Sequence, residues 1–400
     1  MFSQRTSWRR DPNRLARALE ARNERGAEVL DLTESNPTRC GLAPSPDRVL
    51  RALSNRQALE YHPDPRGAKA ARVSISAYYA ERGAEVSPED IFLTTSTSEA
   101  YAYLFRLLAD PGDEILVPQP SYPLFDFLAG LNDCATLPYP LVYDGRWQAD
   151  LGAFEVRMMP HAKAAVVVHP NNPTGSFLQP SELARLAERC AAGDCALIAD
   201  EVFSDYAFES TQPALRTLTG ASSALTFTLS GLSKICALPQ MKLGWIVASG
   251  PEAERNEAVA RLEVIADTYL SVSAAVSGAL PEWLELRRDV QPRIRARVRA
   301  NLASLDLALA ASPAVTRLSA QGGWYAILKL PAIRSDEDWA VGLLERQGVY
   351  VHPGHFFEMP WESHLVVSLL PEEGTFREAI RRLFGEVRRA MSEDSSLHGE

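Results

Sequence analysis

Short apolar runs alternate with longer amphipathic segments through the middle of the chain. Each run is rich in β-branched, aromatic or other apolar residues and is too short to form a helix. None shows the polar alternation of a strand with one face in water, so the pattern predicts strands buried on both faces of a largely parallel sheet. The predicted strands are residues 91–95, 114–118, 164–169, 196–200, 225–229 and 244–249.

Helical patterns lie between these strands. Apolar residues recur at helical spacing over Ser98–Leu108, and Ser181–Ala191 follows Pro180 with a serine that favours a helix start. Strand–helix alternation predicts a doubly wound α/β fold, with a mostly parallel central sheet flanked by helices. We place this large domain at residues 49–288.

The end of the chain has a different pattern. An arginine-rich helix is predicted at about 292–311, followed by strand-like segments near 322–331, 349–352 and 364–370 and a closing helix from about Thr375. These elements predict a small α+β domain over residues 289–400. Residues 1–48 contain no pattern of a central strand, and we expect them to pack beside the small domain.

Composition and charge narrow the class of protein. The chain has 400 residues, 46% of them hydrophobic, and a net charge of −10, which is typical of a globular protein without a nucleic-acid or membrane partner. No apolar run approaches the ~20 residues that span a bilayer, and the N-terminus lacks an apolar export segment. The five cysteines are scattered and form no CxxC pair, so we expect a cytoplasmic protein without a structural metal or disulfide framework.

Candidate chemistry follows the predicted strands, because ligands of open α/β sheets bind beyond the carboxyl ends of the strands. Ser96, Thr97 and Ser98 stand at a helix start, where free N–H groups and the helix dipole favour an anion. An ordinary helix cap is the alternative. Tyr122 is a candidate to stack on a planar ligand, and the alternative is a packed surface aromatic.

Three further strand ends carry polar residues. Asn172 lies in a turn rich in proline and asparagine, and its amide follows a buried strand. Asp200 ends another strand, where a buried carboxylate requires a partner unless it serves as a helix cap. Lys234 lies among small and apolar residues, which lower a lysine pKa and make the amine nucleophilic. Lys242 is a second cation nearby.

These groups together are the parts of a pyridoxal phosphate site. Such a site needs a lysine to form a Schiff base, a carboxylate for the pyridinium nitrogen, and a cradle for the phosphate. The GxGxxG, P-loop, GxSxG and HExxH motifs of other enzyme classes are absent from the sequence.

The ordered motifs also resemble a known family. NNPTG (171–175), DEVF (200–203) and SGLSK (230–234) ahead of PQMKLGW resemble the class I/II aminotransferases, which have the fold-type I architecture of pyridoxal phosphate enzymes. The resemblance extends from LDLTESNPT (31–38) through YHPDPRG (61–67) to VYVHPGHFF (349–357).

The resemblance implies a role for each matching residue. Lys234 would form the Schiff base and then move the substrate proton, and Asp200 would pair with the ring nitrogen. Asn172 would donate to the phenolic oxygen of the cofactor, and Tyr122 would stack on the ring. Tyr61 would reach the cofactor of a neighbouring subunit, which implies a homodimer with shared sites. The phosphate would be held by residues at the helix start and near the lysine: Ser96, Thr97, Ser98, Ser233 and Lys242.

Three positions depart from the family pattern. Phe203 stands where many relatives have a tyrosine, and Gly231 stands where a phosphate-binding serine is common. Val366 stands where the family normally has the arginine that grips the substrate carboxylate, an interaction that an apolar side chain does not replace. Either another cation such as Arg39 or Arg66 holds the carboxylate, or the substrate lacks one, or the chain has left amino-acid transamination.

We therefore expect a transaminase of unusual specificity that uses an amino donor and a keto acid or related carbonyl acceptor. One alternative is a pyridoxal phosphate lyase on the same scaffold, for example a carbon–sulfur β-lyase. A second is a non-enzymatic regulatory protein that binds the cofactor. The residues before position 30 are too few for a DNA-binding domain, which disfavours the regulator.

Overall fold

The computed structural model describes residues 1–158, 162–209 and 211–397. The α-helices are α1 (Arg14–Glu24), α2 (Pro46–Leu53), α3 (Lys69–Ala80), α4 (Thr97–Leu108), α5 (Phe125–Leu131), α6 (Leu151–Arg157), α7 (Pro180–Ala192), α8 (Leu232–Ile235), α9 (Glu252–Tyr269), α10 (Ala274–Ala310), α11 (Asp336–Gln347) and α12 (Glu373–Leu397). The strands are β1 (Leu30–Asp31), β2 (Ile91–Thr94), β3 (Glu114–Gln119), β4 (Ala135–Tyr143), β5 (Trp147–Ala149), β6 (Ala162–Val168), β7 (Ala196–Asp200), β8 (Thr226–Gly231), β9 (Gly244–Ser249), β10 (Thr316–Arg317), β11 (Tyr325–Lys329), β12 (Val349–Tyr350), β13 (His352–Pro353) and β14 (His364–Ser368).

The large sheet has eight strands in the order β2-β9-β8-β7-β6-β3-β4-β5. The pairs from β8 through β7, β6 and β3 to β4 are parallel, and β9 pairs antiparallel with both of its neighbours. All six strands expected from the sequence are present, and the predicted mostly parallel α/β fold is confirmed. The carboxyl ends of β6, β7 and β8 therefore meet at one edge.

Helices cover both faces of this sheet, which explains why its strands have no polar alternation. Ile198 of β7 packs in one apolar cluster with α4 and α9, through residues such as Leu104 and Leu262. Its neighbour Leu197 points to the opposite face and packs with Leu186 of α7. Successive strand side chains thus enter different cores, and both positions must be apolar.

The second, smaller sheet has the order β10-β11-β14-β13, and α11 and α12 pack with it in the same apolar cluster. The N-terminal segment pairs with the chain between α11 and this sheet, because β1 lies parallel to β12, with Leu30 opposite Val349. The segment also bonds the second sheet directly, since Ser368 N of β14 donates to Leu32 O at 2.6 Å. The chain around Leu32 is therefore bonded to the end of β14.

The long helix α10 begins at Ala274, well before the predicted start near residue 292. It contains Pro281 and Pro292, and a proline inside a helix usually costs about 3 kcal/mol. The helix continues through both because α2, α3 and α12 pack along it and bury side chains such as Trp283. Since α10 runs through residue 288, the limits of the two domains stay a prediction.

Within the described part of the chain, no helix combines the length and the apolar character that a membrane span requires.

Candidate active site

Two ionisable side chains lie close together beyond the carboxyl ends of β7 and β8. Asp200 is the last residue of β7, and Lys234 lies in the single helical turn α8 that follows β8. The Lys234 charge lowers the pKa of Asp200 and the Asp200 charge raises that of Lys234, so the two charges lie within electrostatic range of each other. The parallel register holds this edge together, because His169 N after β6 donates to Asp200 O at 2.8 Å.

The Asp200 carboxylate is fixed through both of its oxygens. Oδ1 accepts a hydrogen bond from Val202 N at 3.1 Å, and Oδ2 accepts one from the Tyr101 hydroxyl at 3.0 Å. Burial raises the pKa of Asp200 to about 6, although these two hydrogen bonds and the Lys234 charge act in the opposite direction. The carboxylate is therefore mostly ionised at neutral pH, and a cationic N–H partner would be stabilised beside it.

The amine of Lys234 is enclosed by aromatic rings. Its Nζ lies 5.0 Å from the centre of the Trp324 ring and 5.4 Å from that of Phe203. Burial lowers the pKa of Lys234 to about 8, and the charge of Asp200 only partly opposes this effect. The Tyr206 hydroxyl donates to Lys234 O at 2.6 Å and fixes the backbone of the turn. The small and apolar residues around Lys234 in the sequence therefore correspond to an amine that is partly neutral near physiological pH.

The turn after β6 leaves one amide oxygen free. Asn171 Nδ2 donates to Pro120 O and to Thr174 Oγ1, each at 3.0 Å, so the turn is tied to the loop before Tyr122. Asn172 is buried, yet its Oδ1 has no hydrogen-bond partner among the described residues. An unpaired buried polar atom is costly, which indicates that this amide faces a ligand site.

The start of α4 forms the other wall of the site. Ser96 is the N-cap residue, and its hydroxyl accepts from Glu99 N at 3.2 Å, so this hydroxyl is already engaged in capping. Thr97 and Ser98 occupy the first turn. Gly244 of β9 lies against them, because a Cβ there would be 3.2 Å from Thr97 N.

The same helix start lies next to the strand that leads to the lysine. Gly231 pairs with Gly244 across β8 and β9. A Cβ at Gly231 would meet Leu243 O at 2.9 Å, which is why a serine does not fit here without a shift of β9. Just before Gly231, the Ser230 hydroxyl is buried without a partner among the described residues. Free N–H groups, small side chains and this hydroxyl make a cradle for an anion.

Comparison with known proteins identifies the family. The chain matches the family model described as aminotransferase class I and II over residues 27–383. The chain belongs to this aminotransferase family. The members of the family are pyridoxal phosphate-dependent enzymes, and the chain is accordingly an aminotransferase with this cofactor.

Individual relatives cover most of the chain. It is 30% identical over 380 residues to the arginine–pyruvate transaminase AruH of Pseudomonas aeruginosa, covering 92% of each chain. It is 27% identical to the glutamate–pyruvate aminotransferase AlaA of Escherichia coli K12, covering 87% of each. The alanine aminotransferase of Pyrococcus furiosus shares its fold, with a TM-score of 0.88 at 22% identity over 97% of this chain and 100% of that one.

The residues present fit pyridoxal phosphate in an aminotransferase. The cofactor has a ring nitrogen that is protonated when paired with a carboxylate, a phenolic oxygen, an aldehyde and a phosphate. The chain offers a group for each of them. The Asp200 carboxylate suits the ring nitrogen and the Asn172 amide suits the phenolic oxygen. The Lys234 amine, with its depressed pKa, suits the aldehyde, and the helix start at Thr97 suits the phosphate.

The remaining predicted residues lie at different distances from this centre. Ser233 is partly buried next to Lys234, and Tyr122 is 48% exposed near Tyr325. Lys242 is exposed and adopts a left-handed conformation with φ of 51°. Tyr61 is 81% exposed and lines a separate cavity of about 660 Å³ near the end of α9, so one chain alone does not bring it to Lys234.

Two contacts were not anticipated from the sequence. Tyr101 donates to the Asp200 carboxylate from one helical turn after Thr97, and this periodicity was the available signal. Trp324 comes from just before β11. Its ring packs edge to face with that of Phe203, with 5.2 Å between the ring centres. Phe203 offers no hydroxyl here, and the nearby Tyr206 hydroxyl is committed to Lys234 O.

We predict that Tyr101→Phe weakens cofactor binding. Loss of one hydrogen bond to an ionised group should raise the dissociation constant of pyridoxal phosphate by about tenfold or more. Fluorescence titration of the apoprotein measures this constant. Tyr139→Phe is the matched control, because it removes an equally buried hydroxyl that donates to Val166 O instead. Equal affinities of the Tyr101 variant and the wild type would show that the contact does not matter for binding.

We also predict the pH dependence of covalent cofactor attachment to the apoprotein. Only the neutral amine reacts, so the attachment rate should rise with pH and reach half of its maximum near pH 8, not near the ordinary lysine value of 10.5. Stopped-flow absorbance measures the rate, and reaction with free lysine corrects for titration of the cofactor itself. A rate that keeps rising without a midpoint below about pH 9.5 would contradict a depressed lysine pKa.

Proposed function

We propose that this aminotransferase moves an amino group between an amino-acid donor and a keto acid, with Lys234 as the residue that bonds the cofactor aldehyde through Nζ. The observation that carries this proposal is the pairing of a lysine of depressed pKa with a fixed, buried carboxylate at one sheet edge. Bound pyridoxal phosphate supplies an electron sink that stabilises negative charge at the substrate Cα.

The residues of the chain have separate tasks in this reaction. Asp200 keeps the ring nitrogen protonated, and Tyr101 holds the carboxylate in place. Asn172 provides a polar partner for the phenolic oxygen. Lys234 carries the proton from the substrate Cα, since its amine is neutral often enough to accept one near pH 8.

The substrate class is proposed from the relatives and the site together. Arginine–pyruvate, glutamate–pyruvate and alanine aminotransferases differ in amino donor, but each name contains pyruvate or its amino acid alanine. We therefore propose pyruvate as an acceptor. The aromatic rings of Phe203 and Trp324 lie beside the amine and offer a substrate no charge.

We also propose a homodimer in which Tyr61 reaches the site of the other subunit. The exposure of Tyr61 and the open cavity beside it support a surface that a second copy covers. The phosphate roles of Thr97, Ser98, Ser233 and Lys242 belong to this proposal as well. A cytoplasmic location is proposed from the five cysteines, which are all buried and unpaired.

We predict keto-acid-dependent amine transfer that requires Lys234. The wild type should form alanine from pyruvate with L-glutamate or L-arginine as donor, and Lys234→Ala should lower the rate by at least about a thousandfold. Chromatography of the amino-acid products measures the transfer. Lys329→Ala removes an exposed lysine at the end of β11 and should keep the activity.

The same assay separates the lyase alternative from the proposal. Release of ammonia and pyruvate from a sulfur-containing amino acid, without any keto acid added, would identify a β-lyase. Absence of both reactions in a cofactor-loaded protein would favour the binding-protein alternative and contradict the proposal.

A further inference from the structure

The position of the usual carboxylate-binding arginine is filled with apolar groups. Val366 lies in the middle of β14, is only 1% exposed, and faces Ile327 on β11 and His352 on β13. It belongs to the same apolar cluster as Phe357 and Met359. A substrate carboxylate would find no cation on this strand.

A cavity in front of Lys234 contains a different arginine. The cavity has a volume of about 390 Å³ and is formed by Lys234, Pro239 and the N-terminal segment Asp31–Arg39. Arg39 is the one arginine among its described lining residues. The cavity therefore joins the reactive amine of the proposed reaction to a guanidinium group.

Arg39 is held by fewer and longer contacts than Arg66, so its guanidinium can turn to an anion. Arg66 donates to Glu263 Oε2 and to Glu89 O, and its guanidinium lies 5.6 Å from the Phe92 ring. The side chain of Arg39 is 76% exposed, and its ion pair with Glu34 is long, at 3.4 Å. Glu34 also accepts from Asn36 N at 2.8 Å, so it keeps a partner when the guanidinium turns to a substrate.

The backbone that carries Arg39 is held in place. Thr38 N and Oγ1 donate to Asn36 Oδ1, and Arg39 N donates to Asn36 O, which closes a compact turn. Two arginines of α10 clamp the residues that follow, since Arg297 donates to Cys40 O and Arg293 to Gly41 O. The backbone at Arg39 is thus fixed by hydrogen bonds, and only its side chain can reorient.

This turn belongs to the segment that is bonded to β14. Leu32 O accepts from Ser368 N at 2.6 Å, two residues along the strand from Val366. The segment that carries Arg39 is therefore anchored, seven residues earlier, to the strand that lacks an arginine. The planar fork of an arginine can bind a carboxylate through two parallel hydrogen bonds from this neighbouring element.

We infer that Arg39 is the residue that binds the α-carboxylate of the amino donor and of the keto acid, in place of the arginine absent at Val366. The inference rests on the proposed transamination at Lys234. It assigns the substrate class as α-amino acids and α-keto acids, and it excludes amines that lack the carboxylate as good substrates.

The test compares donors that differ only in the α-carboxylate: L-arginine with agmatine, and L-alanine with ethylamine. Arg39→Gln should lower kcat/KM for the amino acids by about 100-fold, chiefly through KM, and change that for the amines by less than about threefold. Arg39→Lys should recover part of the loss. Arg48→Gln removes an exposed arginine that pairs with Asp289 on another surface and serves as control.

Binding of pyruvate, measured by calorimetry on the cofactor-loaded protein, gives a readout that does not need turnover. Its dissociation constant should rise by at least about 30-fold in Arg39→Gln, while the cofactor absorbance stays unchanged.

The outcomes separate the inference from the proposed function. A wild type that transfers no amino group contradicts the function, and the pyruvate titration then still decides the role of Arg39. An active wild type whose Arg39→Gln variant keeps its preference for carboxylate donors and its pyruvate affinity overturns the inference. An equal loss for amino acids and amines would also overturn it, because it would show a general structural effect.

Discussion

The site depends on one interaction, the electrostatic coupling between the Asp200 carboxylate and the Lys234 amine, which lie beyond the ends of two neighbouring strands. Burial raises the pKa of Asp200 to about 6 and lowers that of Lys234 to about 8, so each group is kept close to the pH at which it can exchange a proton. The Tyr101 hydroxyl and the Val202 N–H hold the carboxylate in position. Without burial the lysine would be an ordinary cation, and without its two hydrogen bonds the aspartate would be a poorly compensated charge.

The fold makes this contact possible through its layers. Because helices pack on both faces of the sheet, the strands are apolar throughout and their polar residues are confined to the ends. The parallel register then brings the ends of β6, β7 and β8 to one edge. The close glycine pair Gly231 and Gly244 brings the start of α4 against the same edge, which adds the proposed anion site to Asp200 and Lys234.

The residues that come from single strand ends could be predicted, and those that depend on packing between distant segments could not. Asp200 and Lys234 follow apolar runs directly, so local pattern was sufficient. Tyr101 reaches the site from one helical turn after Thr97, where only helical periodicity gave a signal, and Trp324 comes from a distant segment that no local pattern indicates. The start of α10 was placed too late because Pro292 resembles a helix start, whereas tertiary packing carries the helix through it. The choice between Arg39 and Arg66 likewise needed the contacts of Arg66 with Glu263.

The central claim is that Lys234 is the amine which holds pyridoxal phosphate. Reduction of the cofactor-loaded protein with borohydride, followed by proteolysis and mass spectrometry, tests it most directly because reduction makes the link permanent. We expect the phosphopyridoxyl group on the peptide that contains Lys234, with Lys242 of the same region unmodified. Modification of Lys242 or another lysine with Lys234 left free would contradict the assignment.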